Sequence, residues 1–269
     1  MRRQPAVAGT FYPAEPGVLS RDLRQLIKGP EAASSPRALA LMVPHAGYIY
    51  SGGVAAATYS AAALSRRIVI LGPNHTGVGE PIAVFDEGAW DLPLGEVPID
   101  EPLARSLLSH CPAARPDARA HLREHSLEVQ VPFLMHMLEK ISLVPVCVGT
   151  LRLPLLLDLG RALADAIQET DGEVLIVMSS DMSHYIPAAE AEKLDRMALE
   201  RVLAIDPEGL HRVVVEREIS MCGIAPTVAG LEAARRLGAR EARLIAYANS
   251  GDRSGDYESV VAYAGVAVT

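Results

Sequence analysis

Two histidines stand in the same kind of setting. His45 lies in Pro44-His45-Ala46-Gly47-Tyr48 and His75 in Gly72-Pro73-Asn74-His75, each directly after an apolar run. A Pro/Gly loop after a strand presents an imidazole instead of burying it, and two such loops suggest a pair of metal ligands. Imidazoles suit Fe, Cu, Zn and Ni, so the residue types leave the ion open. Asp181 and His184 stand three apart in Ser179-Ser180-Asp181-Met182-Ser183-His184-Tyr185. In a loop or first helical turn that spacing lets a carboxylate and an imidazole meet, for acid–base work or to orient a ligand. The competing role for Asp181 is an N-cap, which leaves Ser179, Ser180, His184 and Tyr185 unexplained.

Cys222 follows Glu216-Arg217-Glu218 and precedes Gly223, near an expected helix start where a thiol ionises more easily and can ligate metal. Cys147, inside the apolar run 143–148, reads as an inert core residue, and Cys111, beside His110 in a Pro-rich connection, reads as a surface residue. With an odd count of three and no CxxC spacing, a disulfide framework is not expected. His121-Leu122-Arg123-Glu124-His125 fits the HxxEH pattern of inverted zinc peptidases, with Glu124 as base. That rival needs both histidines inside a helix. Ser126, Glu128 and the apolar stretch 129–134 place the helix start near His125, and Pro132 fits a first turn only if the start lies slightly later. There is no GxSxG elbow, no phosphate loop and no GxGxxG after the first strand. The segment 251–256 offers an anion a Gly-rich turn, although a solvated hairpin-like turn is the commoner outcome.

Elements that must position these residues are legible as short apolar runs alternating with helical patterns, the signature of an α/β sheet covered on both faces. Strands are expected at 38–43, 67–71, 82–85, 141–148, 173–178, 242–248 and 260–268. Helices are expected at 53–64, 101–109, 126–138, 153–167, 188–205, 207–215 and 226–237. The clusters around His45, His75 and Asp181, and a further one at 249–252, all follow expected strands. Open α/β sheets place their sites at such strand ends, so residues some two hundred positions apart converge. The expected architecture is one α/β domain over residues 1–269, with a mixed, mostly parallel central sheet and helices on both faces.

Of the 269 residues, 49% are hydrophobic and 22% charged, the balance of a globular chain with a substantial core. A net charge of -8, from 25 basic and 33 acidic residues, disfavours a sequence-independent grip on nucleic acid. No apolar stretch approaches the roughly 20 residues of a membrane helix, and Met1-Arg2-Arg3 leads into Pro5, Gly9 and Pro13 instead of a signal core. A cytoplasmic protein without membrane or nucleic-acid partners is expected.

Several of these segments together resemble the Memo family. They are the start Arg3-Gln4-Pro5-Ala6-Val7-Ala8-Gly9-Thr10-Phe11-Tyr12-Pro13, the loops holding His45 and His75, the stretch from Glu124 to Leu134, the Ser179 to Tyr185 loop and Cys222-Gly223. The resemblance covers almost the whole chain with its motifs in order. It implies a fold similar to the class III extradiol (LigB-like) dioxygenases, which hold non-haem Fe(II) on two histidines and a carboxylate. His45 and His75 match the two histidine ligands, and Cys222 stands where the dioxygenases have Glu. His125, Asp181 and His184 then become pocket residues that manage protons or substrate, in a pocket closed by Tyr48 and Tyr185. Fe(II) is the foremost expected ion, with Cu or Zn as alternatives, because a thiolate softens the site. Prokaryotic members of the family accompany radical-SAM and AMMECR-type proteins, which makes these the expected partners besides a small molecule or peptide. Eukaryotic relatives are described as signalling proteins that bind phosphorylated peptides, so a binding module for a peptide or anion without turnover stands as the alternative function.

Overall fold

Apolar runs without polar alternation have no face to offer water, so they form strands covered on both sides. The computed structural model describes residues 1–27 and 36–269. In chain order its elements begin with β1 (Arg2–Arg3), α1 (Pro16–Leu26), β2 (Ala40–Val43), α2 (Tyr48–Ser60), β3 (Arg67–Pro73) and β4 (Ile82–Val84). Next come β5 (Ala89–Leu92), β6 (Gly95–Pro98), α3 (Glu101–His110), β7 (Arg115–Pro116), α4 (Val131–Met137), β8 (Ser142–Val148) and α5 (Leu153–Gln168). The remainder is β9 (Val174–Ser179), β10 (His184–Ile186), α6 (Ala188–Leu203), α7 (Pro207–Glu216), α8 (Ile224–Arg236), β11 (Ala242–Asn249), α9 (Gly251–Ser254) and β12 (Val260–Val268).

The large sheet runs β10-β12-β2-β9-β3-β8-β4-β7, with β11 also paired to β12. Its centre, β2-β9-β3-β8, is parallel, and β12 and β4 flank it antiparallel, so the sheet is mixed as expected. Alternate residues of one strand feed different cores. Leu41, Val43, Ile68 and Val177 join Tyr59 of α2 and Phe133 of α4, whereas Met42, Val69, Leu71 and Met178 join Leu163 of α5 and Val228 of α8. Helix α2, after β2, and helix α5, after β8, thus cover opposite faces. The crevice between such diverging connections, outside the strand ends, is where an open α/β sheet places its ligand.

The structure corrects several expectations. The helix expected over 126–138 is a 3-10 turn at Glu128–Gln130 followed by α4. Ser126 commits its N–H to Glu124 and its hydroxyl to Pro73 O, and Pro132 sits in the first turn of α4, where its missing N–H costs nothing. His184 to Ile186 is a strand, not the start of a helix, so Asp181 caps nothing. The segment 251–256 opens with the short helix α9 (Gly251–Ser254), ended by Gly255 at φ 78°, and is not a hairpin-like turn. Elements β1, β5 and β6 escape the sequence reading, since strands of two to four residues carry no clear period, and so does α1, an 11-residue helix that buries Leu19 and Leu23.

Candidate metal centre

His45 follows β2, His75 follows β3 and Asp181 follows β9, three neighbouring strands, so their loops meet at one edge. His125 arrives from elsewhere, on the irregular segment before α4. One ring nitrogen from each of His45, His75 and His125 lies within 4.8 Å of the others. His45 meets the other two rings edge to face, with centroids at 5.2 Å from His75 and 5.4 Å from His125, and His75 and His125 stack at 4.6 Å.

Hydrogen bonds fix which nitrogen His45 and His75 offer. Ser179 Oγ donates its single proton to Ser126 O (2.7 Å) and accepts from Gln130 Nε2 (2.8 Å). The contact between Ser179 Oγ and His45 Nδ1 at 2.9 Å therefore has the imidazole as donor, which puts the His45 lone pair on Nε2. At His75, Glu124 accepts from the backbone N (2.6 Å) and faces Nδ1 at 2.9 Å. Burial opposes ionisation of Glu124, but the bonds from His75 and Ser126 outweigh it and hold its carboxyl down at about 2. A carboxylate only accepts, so His75 Nδ1 is the donor in this contact, and in the neutral ring the lone pair sits on Nε2. Burial keeps His45 neutral, and the other histidines add to that; burial likewise lowers His125. Ring orientation by an acceptor behind each imidazole is the usual support of a metal-binding histidine.

Cys222 places Sγ 3.1 Å from His45 Nε2 and accepts from Asp181 N at 3.3 Å, although it is not a member of the mutually close group. Burial, with Asp181 adding, pushes this thiol well up, against the expectation that a helix start eases its ionisation. Asp181 Oδ1 accepts from His45 N (2.7 Å), which fixes the His45 loop from below. Burial raises the Asp181 carboxyl to about 6. His184 lines the same cleft, with Nδ1 bonded to Ser220 O at 2.9 Å. Gly223 supports Cys222 by close approach: a Cβ there would meet Ser180 Cβ at 2.3 Å and Ser179 O at 2.4 Å. Gly223→Ala is expected to cost about 1–3 kcal/mol and to displace Cys222 from His45, read by the urea midpoint and by metal content together.

A cavity of about 730 Å³ opens above these groups and is lined also by Phe11, Tyr50, Tyr185 and Tyr263. Tyr48, expected to close it, is instead buried with its hydroxyl on Val129 O (2.7 Å), and Tyr50 takes that place. The peptidase geometry is not formed. Residues 118–121 make a 3-10 turn and stop, and His121 is fully buried beside Phe85 and Trp90 with Nε2 on Ala83 O at 3.1 Å. Cys111 is also fully buried, not on the surface, while Cys147 is core as expected.

The family model for Memo-like protein matches residues 3–267. The chain belongs to the Memo family. Relatives of the same breadth support it: a MEMO1 family protein of Aquifex aeolicus is 44% identical over 98% of both chains. A MEMO1 family protein of Methanopyrus kandleri is 42% identical over 99% of this chain and 98% of its own. An uncharacterized protein of Escherichia coli K12, solved by crystallography, shares the fold at a TM-score of 0.60 and 15% identity, covering 87% of this chain and 100% of that one.

In this Memo family chain the N-terminal segment also packs against the loop that carries Glu124 and His125. Arg3 is fully buried, donates to His121 O (2.7 Å) and Glu124 O (2.8 Å), pairs with Glu128 (2.7 Å) and lies 4.2 Å from the Trp90 ring centre. It therefore clamps the loop that presents Glu124 and His125. Phe11 packs against His125 with tilted rings, centroids 4.7 Å apart. An arginine two residues from a chain start reads as a solvated charge, and nothing local distinguishes it.

Proposed function

We propose that this chain is a metal-binding protein of dioxygenase-like type, with His45, His75 and Cys222 as ligands of a transition metal, Fe(II) foremost and Cu or Zn as alternatives. The observation that carries the reading is the orientation of His45 and His75: each spends Nδ1 on an acceptor, which leaves Nε2 as the nitrogen to offer a metal in the cleft. Borderline nitrogen and soft sulfur donors suit these ions. When bound, such an ion supplies Lewis-acid and redox chemistry toward a small molecule, including O2-dependent chemistry. His125, Asp181 and His184 line the same cleft and hold or move protons beside that ion. Phe11 and Tyr50 narrow the approach of water. Family membership motivates the further proposal that the protein works in the cytoplasm beside AMMECR-type and radical-SAM proteins; no helix among the described residues is long and apolar enough to cross a membrane.

The anion-binding alternative has less support, because no Lys or Arg is found among the described residues lining the cleft. The test is the metal content of protein purified without oxygen, for wild type, Cys222→Ser and His121→Ala. Near-stoichiometric Fe or Cu is expected in wild type and in His121→Ala, with loss in Cys222→Ser. Wild type that stays empty after reconstitution sinks the reading.

A further inference from the structure

The outer part of the cleft has a composition of its own. Tyr50 is 44% and Tyr185 77% exposed, yet both line the cavity, and no pair among Tyr50, Tyr185 and Tyr263 packs ring on ring among the described residues. Tyr185 meets only the His184 ring, edge-on at 5.7 Å, and no aromatic ring packs on Tyr50 or Tyr263 among the described residues. Tyr185 has φ 59°, a left-handed conformation unusual for an aromatic residue, at an irregularity in the pairing of β10 with β12. Such a bulge beside a site re-aims a side chain, and here His184 N bonded to Ser220 Oγ (2.8 Å) holds the strained turn in place.

Tyr263 supplies an independent observation. It is only 2% exposed, yet it lines the cleft, and its hydroxyl bonds no protein group among the described residues. A tyrosine hydroxyl that reaches the cleft and is spent on no protein group is available to whatever enters. Charge completes the pattern. The lining carries two carboxylates, Asp181 and Asp256, and among its described residues no Lys or Arg; Arg253 lines the neighbouring cavity beyond Phe11. Asp256 is exposed and spends one oxygen on Glu258 N (2.9 Å). Open aromatic faces beside an uncompensated carboxylate attract an organic ammonium group and repel phosphate or sulfate.

We propose that the cleft takes an organic cation that also carries an oxygen acceptor, with its ammonium group against Tyr50, Tyr185 and Asp256 and its oxygen on the Tyr263 hydroxyl. The inference rests on the reading of this cleft as the functional site and assigns its ligand class. A neutral ligand of the same shape keeps the apolar contact but loses the attraction of the ring faces and the carboxylate. An anion of similar size meets Asp256 without a compensating positive side chain.

The experiment compares choline with its uncharged isostere 3,3-dimethylbutan-1-ol and with phenyl phosphate, by ligand-observed NMR titration. It is run on metal-free and on metal-reconstituted full-length protein. Choline is expected to bind on the order of tenfold more tightly than the isostere, the size of a favourable cation–π contact. The preference should fall in Tyr185→Ala and Asp256→Asn, return in Tyr185→Phe, and be joined by weaker choline binding in Tyr263→Phe. Equal binding of choline and its isostere, no choline binding, or tighter binding of phenyl phosphate overturns the assignment. The two readings fail separately: a protein that takes up no metal still reports the cation preference, and a protein loaded with metal but indifferent to charge keeps the metal site and loses the ligand class.

Discussion

Protein with His45 replaced by Ala, purified without oxygen, is expected to carry less than about a tenth of the wild-type metal while keeping its far-UV circular dichroism. His45 Nε2 is the lone pair fixed most firmly, because Ser179 Oγ has one proton and spends it on Ser126 O. The ring lies in a loop, not within the sheet, and its removal leaves β2 and its pairing with β9 untouched. Loss of metal without loss of fold is thus the expected pair of results. Full metal content in His45→Ala removes the histidine site altogether. Glu124→Gln grades the same test: the amide still accepts a hydrogen bond but loses the charge that fixes His75, and affinity should fall about 10- to 100-fold, as for other acceptors behind metal-bound histidines.

The second large effect is expected at Arg3. Both members of the Arg3–Glu128 pair have fully buried side chains. Removing one partner of a buried ion pair leaves an uncompensated charge and costs about 3–5 kcal/mol. Arg3→Met should lower the urea midpoint accordingly, with an unchanged slope. Replacing Glu128 as well, by Leu, should not restore stability, because Glu128 also accepts from Ala6 N (2.7 Å), Val7 N (3.0 Å) and the Tyr12 hydroxyl (2.6 Å). Recovery in that double variant shows the pair to be a simple charge couple, not the knot of the N-terminal segment. A native-like Arg3→Met protein should also bind metal more weakly, since the carbonyls of His121 and Glu124 lose the donors that set their loop.

How much of this was legible follows the range of the interactions. The central strands announce themselves, because a run such as Ile68 to Leu71 must be covered on both faces wherever it goes. Placing His45, His75 and Asp181 after such runs was enough to predict that they meet, since strand ends in a parallel sheet share one edge. The family motifs carried Cys222 and His125 to the same pocket without geometry. Tertiary structure alone decided what each group does there. Glu124 sits in a pattern that reads as a peptidase base, yet it orients His75 because the chain after His121 leaves helical geometry. Cys222 has the local setting of an ionised thiol, but burial, a property of the whole fold, raises it. Tyr50 and Tyr185 look like ordinary surface aromatics until a bulge and a helix start turn them toward one cavity. Sequence by itself determined which residue types arrive at the strand ends, because burial and chain direction are written in local hydrophobic pattern. Proton positions, the clamp by Arg3 and the uncompensated charge of the cleft depend on contacts between residues far apart in the chain, and only the packed structure brings those partners together.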